Sequence, residues 1–494
     1  MNLRNSAAAR ALTPLLFVLA ACPIGEAVAQ PTPAAGNSAC GAPAGIATRP
    51  HADWAGRICV KLEFPQPPAA AESATVVLAW FTPEEKAKLH RGVYIPPTML
   101  DQFLDRARIV QNVALGDNKE LTIDYPGGDA AVVAIVDRTR AFWPTMFGGG
   151  SGNLLGAGDA LNGRAAVKLG AIPEFGPQKE GCAGNRLELL KLNDPAVADA
   201  FGTDPDRRAC VFLPASYAAD ASKRYPVVYL LPGFASGDMA YLSGNQDLRA
   251  KVDGAGSEVI VVSIDTGTKY GSTYFTDSAS GGKWDAWVIK LVAEIDKKYR
   301  TKADAKSRAL VGHSTGGFNA VSLALRHLDL FSVVGASSPD GLDFEGWLTE
   351  GGTVRPKWLA WSRLEDGVGG MGQLISYAAA WSPAGERFPW NLDTGALKEP
   401  GWSAWRAQSP MRMLEDPARL ARVKKELAGR IFLIVGSRDE FGLHAPTAAF
   451  DAQLTKLGVA HEFKTVDTGH DTANVQHALA FAIGVLNPSA SAGK

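Results

Sequence analysis

Arg308-Ala-Leu-Val-Gly312-His313-Ser314-Thr315-Gly316-Gly317 is an apolar run that stops at a serine set between glycines. The residues that follow, Phe318 to Leu328, carry helical periodicity. A strand that turns this sharply into a helix throws the serine hydroxyl out at the carboxyl edge of a sheet. Side chains two before and two after the serine would strike the neighbouring strand and helix, which is the steric reason for Gly312 and Gly316. The pattern predicts Ser314 as a nucleophile.

Around this elbow, from about residue 181 to 488, apolar strands alternate with amphipathic helices. Strand candidates are Pro226 to Leu231, Glu258 to Ile264, Ala309 to Val311, Ser332 to Ala336 and Ile431 to Val435. Helix candidates are Trp284 to Tyr299, the segment after Ser314, Ala448 to Leu457 and Ala473 to Leu486. That alternation predicts an α/β class with a mostly parallel sheet covered on both faces. Residues 341–429 break the rhythm and hold seven of the twelve tryptophans. An insertion at a strand's carboxyl end lies over the site, so it is expected to be a cap, with Trp381, Trp390 and Trp402 as candidates for substrate contact. The other expectation is that the indoles fill the cap's own core.

Upstream, residues 55–150 read as short strands separated by turns, a small β-sandwich, and residues 151–180 as a glycine-rich linker. Residues 30–54 read as a flexible tether. Residues 1–29 have the form of an export signal, with Arg4 and Arg10 before a short apolar core and Ala27-Val28-Ala29 as the cleavage site. Leu19-Ala20-Ala21-Cys22 offers a different exit, a lipid anchor on Cys22, although Pro23 favours the cleaved product, periplasmic or secreted. In an oxidising compartment, sequence proximity and the domain split pair Cys40 with Cys59 and Cys182 with Cys210. A formal net charge of −1, without a long basic run, speaks against nucleic acid as a partner. No apolar run reaches the length of a membrane span. The oligomeric state is not written in the sequence.

A serine hydroxyl attacks only when a base takes its proton, and a third group must hold that base in the right tautomer. Both partners lie downstream. Ile431 to Asp439 is a strand ending in a glycine turn and a carboxylate, and His461 to Asp471 is a strand ending in Gly469 and His470. Asp439 is the expected acid, with Glu440 and Asp340 as substitutes, and His470 the expected base. His313 is carried by the elbow itself; His444 and His461 flank the two loops; Asp467 and Asp471 read as solvated charges. The oxyanion hole requires backbone N–H groups, expected from Thr315 and, after Leu230-Leu-Pro232-Gly233, from Phe234, because Pro232 has no N–H. No cluster has metal-ligand spacing, and neither metal nor organic cofactor is expected.

The run Val211 to Tyr217, then Lys223 to Gly233, together with Trp284-Asp-Ala-Trp, Gly312-His-Ser-Thr-Gly-Gly, Gly436-Ser-Arg-Asp-Glu-Phe and Gly469-His-Asp, resembles the esterase family of α/β-hydrolases. That family takes in enterochelin esterases, feruloyl esterases, esterase D and the mycolyltransferases. Pro232 departs from it, since many members carry histidine there. The resemblance covers residues 185–488 and implies the α/β-hydrolase fold, ester hydrolysis or acyl transfer on a small-molecule ester, and a triad at Ser314, Asp439 and His470. A non-catalytic binding protein on the same scaffold is the reading from another class.

Overall fold

The computed structural model describes residues 40–138, 153–171, 181–197 and 204–487, apart from 90–91, 94, 118–119, 244–245, 255–256, 269, 369–371 and 385–386. The expected signal segment, the Cys22 anchor site and residues 30–39 lie outside them.

The amino-terminal strands are β1 (Ile46–Ala47), β2 (Gly56–Glu63), β3 (Ser73–Phe81), β4 (Arg108–Ala114), β5 (Leu121–Tyr125), β6 (Ala130–Asp137), β7 (Leu154–Leu161) and β8 (Arg164–Ala171). They form one continuous sheet, ordered β1-β4-β3-β6-β7-β8-β2-β5 and antiparallel except where β2 meets β8. Instead of the expected two-sheet sandwich, this single sheet curls until its edges meet. Ala44 N–H donates to Thr122 O at 3.1 Å, and Arg108 on β4 bonds Asp124 on β5 at 2.8 Å. Ile58, Val60, Val76, Leu78, Val132 and Val167 fill the inside. On the outside, Val77, Ala79, Phe81, Val133 and Ile135 join a different core, with Phe103 and Leu104 of helix α1 (Leu100–Arg106). Strands β3 and β6 are therefore apolar over most of their length, because both their faces are covered.

Two boundaries move. Residues 40–54, expected as tether, are tied in by the Cys40–Cys59 disulfide and by β1. Residues 154–171, expected as linker, are the β7–β8 hairpin. Its glycines disguised it: a Cβ on Gly156 would overlap the backbone of Lys168, so this strand needs glycine where a loop would merely tolerate it.

The second sheet comprises β9 (Leu187–Asn193), β10 (Asp206–Phe212), β11 (Val227–Leu231), β12 (Ile260–Ile264), β13 (Arg308–His313), β14 (Val333–Ser337), β15 (Ile431–Gly436) and β16 (Glu462–Val466). Its order is β16-β15-β14-β13-β11-β12-β10-β9, parallel from β16 to β12 and antiparallel at β10 and β9. Alternate residues feed two cores. Val228, Leu230, Val311 and Ile434 face helix α6 (Val475–Leu486, labelled last in the chain), whereas Tyr229, Leu231, Leu310 and Leu433 face the opposite layer. That layer includes α2 (Trp284–Lys298), which buries Trp284, Trp287, Val288, Leu291, Val292 and Ile295 at helical spacing. The second expected disulfide, Cys182–Cys210, staples β10 to the segment before β9.

Residues 341–429 are mainly short helices, among them α4 (Pro356–Val368) and α5 (Gln373–Trp381). The curled sheet docks on α4: Arg363 Nη1 donates to Thr48 O at 3.0 Å, Lys357 pairs with Asp101 at 3.0 Å, and Gln111 bonds Gly367 O. Among the described residues no helix is long and apolar enough to cross a membrane.

Candidate active site

Strand β13 ends at His313, and helix α3 (Thr315–Arg326) begins two residues later. Ser314 between them takes φ 56° and ψ −125°, a left-handed conformation that costs energy in a residue with a Cβ. Hydrogen bonds hold it there. Ser314 N–H donates to Ser337 O at 2.9 Å, and its own carbonyl accepts from Phe318 N–H at 3.0 Å. A Cβ on Gly316 would overlap the Leu231 carbonyl, so the steric argument for glycine at this position holds in three dimensions. Thr315 is the first residue of α3, and its N–H has no carbonyl one turn back to bond.

The two downstream loops meet beside this elbow. His470 Nδ1 lies 2.7 Å from Asp439 Oδ2, and the Asp439 side chain is fully buried. The other carboxylate oxygen of Asp439 accepts from Phe441 N–H at 3.0 Å. Glu440, the substitute acid, bonds the His470 backbone N–H instead, at 2.7 Å. A Cβ on Gly436 would overlap the carbonyls of Thr468 and Gly469, so glycine lets the acid loop close against the histidine loop.

Ser314, His470, His313, Phe234, Gly233, Asp340, Gln373, Glu440, Phe441 and Trp347 are among the residues that line one cavity of about 350 Å³. His313 is buried, with Nδ1 3.1 Å from Ser337 Oγ and its ring 4.6 Å from that of His470. Burial first, and the neighbouring His470 second, push the His313 imidazole well below its ordinary pKa, so it stays neutral. His461 is tied to Asp451 at 2.7 Å and Val459 O at 2.8 Å, and His444 opens a helix and meets Thr465 at 3.4 Å; neither lines the cavity. Asp467 pairs with Arg438 at 3.1 Å and Asp471 caps a helical turn.

The tryptophans are placed differently from the substrate-contact expectation. Trp381, Trp390 and Trp402 are buried and none of them lines the cavity. Trp381 stacks on Tyr377 at 4.4 Å, and Trp390 packs edge-on against Trp405 at 5.2 Å with its N–H donated to Ser362 at 3.0 Å. Trp390 finds its apolar neighbours and its N–H acceptor inside the insertion, whereas Trp381 also packs on Tyr274 at 4.9 Å and Phe318 at 5.7 Å, so it joins the insertion's core to the layer beneath it. Trp347 is the indole on the cavity wall, with its N–H donated to Phe441 O at 3.2 Å.

One cluster was not legible in the sequence. Asp340, at the end of β14, points one carboxylate oxygen, Oδ2, at Gln373 Nε2 (2.7 Å), Thr315 Oγ1 (2.9 Å), Tyr377 OH (2.9 Å) and Tyr274 OH (3.4 Å). Its Oδ1 lies 3.4 Å from Ser314 Oγ. Burial pushes the Asp340 carboxyl up, against the donors Thr315 and Tyr377, the charge of His470 and the donor Gln373, which hold it down. Gln373 and Tyr377 stand four apart on α5, a spacing with no meaning until the insertion folds over β14.

Comparison with known proteins gives the family. The family described as "Putative esterase" matches residues 202–484. The chain belongs to this esterase family. Among curated relatives, an endo-1,4-beta-xylanase/feruloyl esterase of Xylanibacter ruminicola is 30% identical over 162 residues, 30% of this chain and 20% of that protein. Esterase Rv1288 of Mycobacterium tuberculosis is 25% identical over 311 residues, 58% of each. The matches thus span from a fifth to somewhat over half of these relatives' length. Among solved structures, a ferulic acid esterase is 21% identical, covering 61% of this chain and 97% of its own, with a TM-score of 0.43. An S-formylglutathione hydrolase from Staphylococcus aureus is 14% identical, covering 61% and 98%, with a TM-score of 0.41.

Proposed function

We propose that this chain is an exported serine esterase that works through an acyl-enzyme on Ser314. The observation that carries the reading is the 2.7 Å contact of His470 Nδ1 with buried Asp439, on the wall of the cavity that also holds Ser314 at its strained elbow. With Nδ1 engaged, His470 Nε2 is the atom that takes the Ser314 hydroxyl proton as Oγ attacks the ester carbon. The N–H groups of Thr315 and Phe234 hold the oxyanion. The alcohol leaves with the proton from His470, and water, deprotonated by the same nitrogen, cleaves the acyl-enzyme and frees the acid. No metal or organic cofactor takes part. The two disulfides fit an oxidising compartment, in keeping with export.

The test is Ser314→Ala. A fluorophosphonate should label the parent and not the variant, and ester turnover should drop by about 10⁵-fold or more with the melting temperature retained. A folded variant that still labels and turns over would sink the assignment.

A further inference from the structure

The cavity next to Ser314 is acidic as well as aromatic. Two carboxylates, Asp340 and Glu440, line it together with Phe234, Trp347 and Phe441, and no lysine or arginine is among the described residues of its wall. The two oxygens of Asp340 are served unequally. Oδ2 has three donors at 2.7–2.9 Å and Tyr274 OH further off at 3.4 Å, whereas Oδ1, on the side of Ser314 Oγ, has among the described residues one contact, at 3.4 Å, long for an O–H···O bond. A buried carboxylate oxygen with spare acceptor capacity on a cavity wall gains from a donor that reaches it.

From this, and resting on the esterase reading, we infer that the preferred ester carries a hydrogen-bond donor, a hydroxyl or an ammonium, within two to four bonds of its scissile carbonyl carbon, and that Asp340 Oδ1 receives it. The distance sets the position. An acceptor 3.4 Å from the attacking oxygen can be reached by a substituent beside the reacting carbon, on the acyl or the alcohol side, and not by the far end of a long chain. The negative wall repels an acid group at the same place. A donor on Oδ1 also replaces the Ser314 hydroxyl there and leaves that hydroxyl free to turn to His470, so that binding of the right substrate assists the proton transfer.

Asp340→Asn reads this directly. The donors around Oδ2 select the amide oxygen for that position and turn the NH₂ towards Ser314, so a donor on the substrate meets a donor on the protein. The experiment measures kcat/KM of the mature protein, each value divided by the ester's own hydroxide-catalysed rate. The matched pairs are phenyl 2-hydroxypropanoate against phenyl 2-methylpropanoate, phenyl 3-hydroxybutanoate against phenyl 3-methylbutanoate, and 2-hydroxyethyl benzoate against propyl benzoate; 2-aminoethyl benzoate supplies the ammonium and phenyl hemisuccinate the anion. The hydroxylated or ammonium ester should be preferred by about 10- to 100-fold in at least one pair, with the hemisuccinate poorest, and the favoured pair shows on which side the donor sits. In Asp340→Asn the ratio should fall to one or below. Ratios within two-fold for every pair in the parent overturn the inference, without need of any variant. So does a preference that survives in an Asp340→Asn protein that still labels with fluorophosphonate. A parent that labels on Ser314 but shows no such preference leaves the esterase reading standing, whereas a parent that does not label removes both.

Discussion

The chain builds two eight-stranded sheets and uses them in opposite ways. The amino-terminal sheet is largely antiparallel and curls on itself, so its edges are spent on closure at Ala44–Thr122. The second sheet is mostly parallel, and every parallel connection has to return over a face, which gathers the carboxyl ends of its strands along one edge. The loops after β13, β14, β15 and β16 thereby bring Ser314, Asp340, Asp439 and His470 together although they span 157 positions of chain numbering (314 to 470 inclusive). Antiparallel closure supplies a stable body, and parallel winding supplies a place where distant loops meet. The insertion joins the two, since α4 packs against the curled sheet while α5 delivers Gln373 and Tyr377 to Asp340.

The largest effect that would test this contrast is Asp439→Asn. It should lower kcat by about 10³- to 10⁴-fold, by leaving His470 in the wrong tautomer, and leave the fold intact. If Glu440→Gln proves the damaging change instead, the acid sits one residue further along. Next in size is removal of the Cys40–Cys59 disulfide by double replacement with alanine. Opening a loop of separation 19 should cost about 2–4 kcal/mol of stability, with fluorophosphonate labelling of the folded protein unchanged. Loss of labelling below the melting transition would show that the curled sheet shapes the site as well as supporting it.

Within the insertion, Trp347→Ala should change relative kcat/KM across an ester panel by about 1–3 kcal/mol, whereas Trp390→Ala should lower the melting temperature and keep the substrate ranking. The reverse outcome would put the substrate against the inner indoles.

The smallest effect concerns the joint between the two sheets. Glu365 on α4 accepts the N–H groups of Leu374 and Ile375 at the start of α5, at 3.2 and 2.8 Å, and the indole N–H of Trp361. Burial pushes its carboxyl up to about 7 from 4.5, against the pull of those hydrogen bonds. The folded state then holds a proton that the unfolded state has lost between those two values, so this residue's contribution to stability falls as pH rises from about 4.5 to about 7 and is level above. The melting temperature of the parent, minus that of Glu365→Gln, should decline by a few degrees over that window. A difference that stays flat from pH 4 to 8 would show that Glu365 does not bind its proton differently on folding.

The elbow, the strands and helices around it and both disulfide pairings were legible because each is written locally: an apolar run, a glycine, a period of 3.6 or two cysteines close in sequence. The loops that carry Asp439 and His470 were legible for the same reason, as strand, glycine turn and polar residue. The β7–β8 hairpin was not, because its glycines answer to a close backbone approach from the partner strand and look like linker without it. Nor was the choice among tryptophans, since Trp347 and Trp390 differ only in which side of a folded helix layer they face.

By itself, then, the sequence determined what each segment is and which groups can do chemistry, because backbone preference and side-chain reactivity are properties of a few neighbouring residues. Tertiary structure decided which of those groups share a wall. Asp340, Gln373 and Tyr377 become neighbours of Ser314 only when the insertion is packed over β14, and such a contact depends on the balance of all the layers around it. No window of sequence contains that balance.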